Sequence, residues 1–152
     1  MDRELSAAAL RSAIFVCAAA PAAIVDMRRM RIPDAFSLGG LGCLLLVDAS
    51  RDPARLPEDL AAAALAFCTF LAIRLGTRGL GLGDLKFAAM CACFAGLPRC
   101  FLAMGAAAAG ALLFYLGTAI RKGKPRGFMI PFAPFIAGGA ALAAILGHLF
   151  AA

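Results

Sequence analysis

Six apolar runs follow one another along this chain, and the polar connections between them are too short to form a second domain. The runs are Leu5–Val25, Ala35–Ala49, Leu60–Leu75, Leu85–Leu97, Cys100–Ile120 and Phe128–Ala151. Helices rise about 1.5 Å per residue, and the hydrocarbon of a bilayer is about 30 Å thick, so most of these runs suit a crossing. The chain is 63% hydrophobic over 152 residues. A soluble core of that composition would lack the polar residues to cover its surface. The expected fold is therefore all-α: a polytopic membrane protein with about six transmembrane helices, forming one domain over residues 1–152.

Runs two and four are short. A helix of about fifteen residues reaches roughly 22 Å, less than the hydrocarbon thickness. Local thinning, or polar flanks drawn inward, would bring water towards the ends of these helices. Arg11 interrupts run one, and the residues before it (Asp2, Arg3, Glu4) do not form a positive leader. A retained first helix is expected rather than a signal peptide, with Arg11 snorkelling outward.

The net charge of +6 resembles a nucleic-acid signal, but the basic residues lie between apolar runs. Arg28, Arg29 and Arg31 follow run one; Arg74 and Arg78 follow run three; Arg121, Lys122, Lys124 and Arg126 follow run five. In the second connection, Arg51 and Arg55 are diluted by Asp48, Asp52, Glu58 and Asp59, and the fourth holds only Arg99. The positive-inside rule puts connections one, three and five in the cytoplasm and both termini outside. These cations then orient the chain and meet anionic lipid, with no nucleic-acid partner.

Cys17, Cys43, Cys68, Cys91, Cys93 and Cys100 lie in or beside apolar runs, without a CxxC pair. The single histidine, His148, is distant in sequence. Zinc requires clustered ligands, so the cysteines read as small apolar residues. No metal or cofactor is expected.

The topology brings two carboxylates to one membrane face. Asp26 closes helix one on the inside, and Asp84 opens helix four on the inside. A carboxylate at a membrane boundary is costly, and two at one depth point to a shared site. Such a pair can hydrolyse an amide. Like charges in contact resist double ionisation, so one group stays ionised and takes a proton from water while the other donates to the carbonyl oxygen. Gly79, Gly81 and Gly83 alternate before Asp84. Without side chains they allow an extended substrate to approach closely, so Gly81 and Gly83 are candidate substrate-binding positions. Taken singly, each aspartate has a plainer reading: Asp84 as an N-terminal cap, Asp26 as a helix-end charge solvated or paired with Arg28 or Arg29. Lys86 reads as a membrane-edge residue. Pro131 and Pro134 are expected to kink helix six. Ala106 and Gly110 suggest a packing stripe on helix five. Tyr115 reads as a packing residue, and His148 lies near the outer end of helix six.

In combination these pieces resemble the type IV prepilin peptidase family, of the GxGD class of membrane aspartyl proteases. The resemblance rests on Asp26 followed by basic residues and Ile32-Pro33, on Gly81-Leu82-Gly83-Asp84-Leu85-Lys86, and on Pro131-Phe132-Ala133-Pro134-Phe135. It covers nearly the whole chain. It implies that Asp26 and Asp84 are the catalytic pair. It also implies a substrate, the basic leader of a type IV prepilin or pseudopilin precursor, cut at the cytoplasmic face of the bacterial inner membrane. The family commonly has Asn after Ile-Pro, where this chain has Asp34. The paired-cysteine insert of longer members has no counterpart here, so the chain is similar to the compact, peptidase-only type linked to Flp pili, without N-methylation. Two other classes are compatible with acids on apolar helices. One is a small transporter or channel subunit, the other a non-catalytic assembly factor for a pilus or secretion machine.

Overall fold

The computed structural model describes residues 2–77, 80–97, 99–122 and 131–151. These residues form six helices and no strand: α1 (Asp2–Arg29), α2 (Asp34–Arg51), α3 (Leu56–Thr77), α4 (Leu82–Ala95), α5 (Arg99–Lys122) and α6 (Ala133–Ala151). Each apolar run of the sequence lies on one helix. Arg78, Gly79, Lys124 and Arg126, and the start of run six at 128–130, lie outside the described residues. So do the side chains of Tyr115 and His148.

The shortest helix is the centre of the bundle. α4 packs against all five others. Leu85, Phe87 and Met90 on it are fully buried, and Ala88, Ala89, Cys91, Ala92 and Cys93 are nearly so. Beyond Lys86 this helix is apolar on every side, and such a surface must be enclosed on every side. Its 14 residues span roughly 21 Å. That is less than the thickness of a bilayer, and α4 is enclosed by its neighbours. Close approach to α4 depends on a small residue in α2. A side chain at Gly40 would collide with Met90 and with Ala18 of α1.

The surface is inverted relative to a soluble protein. Large apolar side chains point outward from α1, α2, α3, α5 and α6, among them Val16, Leu46, Leu75, Leu113 and Ile145. Leu75 is 74% exposed and Ile120 is 84% exposed. An apolar exterior of this extent marks a membrane-facing or partner-facing surface. Among the described residues, two helical stretches are long and apolar enough to cross a membrane, Ser6–Arg29 and Leu56–Gly76. Shorter apolar stretches occupy Arg99–Phe114 and Ala133–Gly147.

α5 and α6 meet through small residues. Ala103, Ala107 and Ala111 are buried, Gly110 lies under the Phe135 ring, and Gly139 sits against the α5 backbone at Ala103 and Ala107. The stripe expected at Ala106 and Gly110 is thus rotated: Gly110 takes part and Ala106 is only half-buried. A side chain at Gly139 would overlap the Ala103 carbonyl, which is backbone and cannot swing away. Gly139→Val is expected to force these helices apart at a cost of about 1–3 kcal/mol, measured by unfolding in detergent. An unchanged stability would show that the seam is not tightly packed.

Arg11 corrects the sequence reading. It does not snorkel outward: it is 6% exposed and binds Asp48 of α2, and its Nη1 lies 2.8 Å from Asp59 Oδ2 of α3. Its Nη2 donates to the carbonyls of Cys93 at 3.0 Å and Phe94 at 3.4 Å. α4 has no basic residue in its last turn. Arg11 of α1 supplies the cation that its C-terminal carbonyls favour. The reason is geometric. The helix ends packed around Arg11 offer it these buried carboxylates and carbonyls as partners.

Candidate active site

Asp26 lies in the last turn of α1 and is 4% exposed. Its Oδ2 accepts the Ala133 N–H at 3.0 Å, although the two residues are 107 positions apart. The local sequence explains the bond. Ala133 opens α6, and Phe135 and Ile136 both donate to the Phe132 carbonyl at 3.1 Å. Pro134 has no N–H. That leaves the Ala133 N–H as the first-turn donor without a helical acceptor, and Asp26 takes it. The expectation that Pro131 and Pro134 kink helix six is therefore corrected. They stand at its start, where a proline's missing donor costs nothing. No ion pair joins Asp26 to Arg28 or Arg29 among the described residues, and both arginines are exposed.

Asp84 occupies the third position of α4, half-buried. Its Oδ2 accepts the Gly81 N–H at 2.9 Å. Gly81 is extended (φ −74°, ψ 151°) and has no side chain to cap the helix in return, so only the carboxylate half of a capping box exists. The cap reading of Asp84 is thus observed, and it engages one oxygen. Among the described residues no hydrogen bond engages Oδ1 of Asp26 or of Asp84. Each acid is held by one oxygen against a backbone N–H at a helix start. The Asp26 carboxylate lies near enough for its charge to act on the Asp84 carboxyl.

The two glycines have different surroundings. A methyl group at Gly81 would lie 3.2 Å from Asp84 Oδ2. One at Gly83 would lie 3.2 Å from the Ile32 Cβ and carbonyl oxygen. Ile32, itself buried, fills the space beside Gly83. The tight exit from α1 sends it there. Met30 takes a left-handed conformation (φ 51°) while its N–H still bonds the Asp26 carbonyl at 2.8 Å. The chain then reverses through Arg31-Ile32-Pro33 into α2. Gly83 therefore lets the α1–α2 turn touch the first turn of α4, which draws the ends bearing Asp26 and Asp84 together.

Two cations in this region were not legible as site residues. Arg74, in the last turn of α3, donates to the Leu80 carbonyl and steadies the segment that leads into Gly81. Lys86 Nζ bonds Asp34 Oδ2 at 2.7 Å and ties the start of α2 to the start of α4. This pairing gives the extra carboxylate of Asp34 a partner of its own, outside the Asp26–Asp84 pair. Only the spacing of Asp84 and Lys86 hinted at it: two apart on a helix, they point in different directions.

The fold and site define an all-helical bundle with a carboxylate from α1 and one from α4 at one end, each held by a backbone N–H at a helix start. The model of the type IV leader peptidase family matches residues 13–116, and the chain belongs to that family. The matched stretch contains Asp26, Gly81, Gly83 and Asp84. No curated protein and no solved structure matches the chain.

Proposed function

We propose that this protein is an aspartic-type membrane endopeptidase that removes the short basic leader from type IV, Flp-like prepilins or pseudopilins. Family membership supports a leader peptidase. The observation that supports the aspartic mechanism is the placement of Asp26 at the end of α1 and Asp84 at the start of α4, two ends drawn together where Ile32 packs beside Gly83. Backbone N–H groups hold the Oδ2 atoms, so the Oδ1 atoms face the reaction. One carboxylate takes a proton from water, which attacks the scissile carbonyl. The other, protonated, gives its proton to the carbonyl oxygen; the first then passes the proton it took from water to the leaving amine, and the second recovers its own as the gem-diol collapses to the acid. Gly81 and Gly83 keep side chains away from the approach to Asp84, and the substrate backbone lies along that segment.

The six helices form six spans of the bacterial inner membrane, with the aspartates at the cytoplasmic face. The apolar exterior supports this reading, and the enclosure of α4 accounts for its short length. The apolar helix of the precursor packs on the outside of the bundle, while its basic leader stays at the boundary near the acids. Co-expression with candidate precursors, followed by intact mass of their amino termini, tests the reaction. Loss of the leader only with the unaltered enzyme is the expected result. Unprocessed precursors in every pairing, with proton flux through the protein in liposomes, would favour the transporter reading instead.

Gly83 offers a test of positioning. Gly83→Val must displace Ile32, so it is expected to lower cleavage by about tenfold or more while leaving the protein in the membrane. A variant with wild-type cleavage would show that contact of Ile32 with α4 does not set the distance between the acids.

A further inference from the structure

A cavity lies at the end of the bundle away from Asp26 and Asp84. It encloses about 490 Å³ between α1, the start of α3, the α4–α5 connection and the end of α6. Arg11 lines it, some fifteen residues and roughly 22 Å of helix from Asp26. Its walls carry charge of both signs. Arg55, Glu58 and Asp59 line it from the start of α3, Arg99 lines it from the start of α5, and Val16 and Ile145 continue it as an exposed apolar rim.

Among the described residues the buried charges do not cancel. Arg11 is shared between two buried carboxylates, Asp48 at 1% exposure and Asp59 at 3%. One guanidinium thus faces two acids. Oδ2 of each carboxylate lacks a hydrogen bond among the described residues. For Asp59 that oxygen lies 2.8 Å from Arg11 Nη1, but not in bonding geometry. Arg55 is committed to Asp52 at 2.7 Å. Glu58 and Arg99 make no ion pair among the described residues, although they line the same cavity.

Two glycines shape the walls. A methyl group at Gly96, whose φ is +71°, would lie 3.2 Å from Asp59 Oδ1 and 3.9 Å from Glu58 Oε1. Both carboxylates therefore converge over a residue without a side chain. The Arg99 guanidinium lies on the backbone of Gly147, in the α6 C-terminal half, where a side chain would exclude it. A donor-rich cation fits between the acids, and an anion fits at Arg99. The exposed apolar rim fits a hydrocarbon chain.

We infer that this cavity binds the headgroup of a zwitterionic phospholipid bearing a primary ammonium. The ammonium donates to Glu58 and Asp59 and offsets the excess buried negative charge. The phosphate meets Arg99, and an acyl chain runs along Val16 and Ile145. A primary ammonium has three N–H donors, whereas a trimethylated one has none. The site therefore distinguishes phosphatidylethanolamine from phosphatidylcholine of the same chains.

Native mass spectrometry of the detergent-solubilised protein, titrated with each lipid and with free phosphoethanolamine, tests this. The expected result is about tenfold tighter retention of the ethanolamine lipid than of the choline lipid. That preference falls to about onefold in Glu58→Gln/Arg99→Gln, binding of both lipids at the site is lost in Ala144→Phe, which fills the cavity, and the preference persists in Asp26→Asn. Equal retention of the two lipids overturns the proposal, and so does a preference that survives both cavity variants. Binding of free phosphoethanolamine as tight as that of the lipid overturns the lipid assignment and points to a soluble zwitterion. None of these outcomes depends on proteolysis.

Discussion

Replacing either Asp26 or Asp84 by asparagine is expected to lower leader cleavage by about 10³-fold, with the protein still inserted in the membrane. The substitution separates chemistry from structure. Asparagine keeps the shape of aspartate, and its carbonyl oxygen still accepts the Ala133 or Gly81 N–H that each acid accepts now. The helix starts of α6 and α4 therefore keep their partners, and stability moves little. What is lost is the negative charge of one group or the transferable proton of the other, and neither has a substitute nearby. Asp34 cannot stand in, because Lys86 engages it. Intact mass of a co-expressed precursor reads the result. Cleavage within tenfold of wild type would remove that aspartate from the mechanism. Loss of the protein from the membrane fraction would instead make the residue structural. Pilus assembly that tolerates Asp84→Asn would favour a non-catalytic assembly factor.

Arg11→Leu is expected to have the largest effect on stability, about 3–5 kcal/mol. It leaves Asp48 and Asp59 buried without a counter-charge and strips the Cys93 and Phe94 carbonyls of their donor. The penalty comes from the orphaned charges more than from the lost pair. A triple variant with leucine at Arg11, Asp48 and Asp59 should therefore recover most of the loss. Unfolding in detergent compares the three proteins. A single variant as stable as wild type would mean the triad is solvated, contrary to its burial. By contrast, Lys86→Met should cost less than about 1 kcal/mol, because the Lys86 and Asp34 side chains are 29% and 60% exposed.

Much of the architecture was legible in the residues. Each apolar run became one helix, and the resemblance built on Asp26, Gly81–Lys86 and Pro131–Phe135 agreed with the family to which the chain belongs. The errors fell where a side chain's partner comes from another helix. Arg11 in an apolar run reads as a snorkelling residue unless Asp48 and Asp59 are known to lie beside it. Pro131 and Pro134 read as a kink unless the helix is known to begin at Ala133. The small-residue stripe of α5 was recognised, but the side of the helix it uses depends on where Gly139 docks.

Hydropathy and turn chemistry are local, so the chain alone determined six helices, their order, and the ends at which Asp26 and Asp84 stand. Only the packed bundle decided that the Ala133 N–H holds Asp26, that Ile32 fills the space beside Gly83, and that Arg11 faces two acids. Those contacts join residues far apart in sequence, and they form only when helices meet around α4, whose surface beyond Lys86 is apolar throughout and carries no pattern to say which neighbour lies on which side.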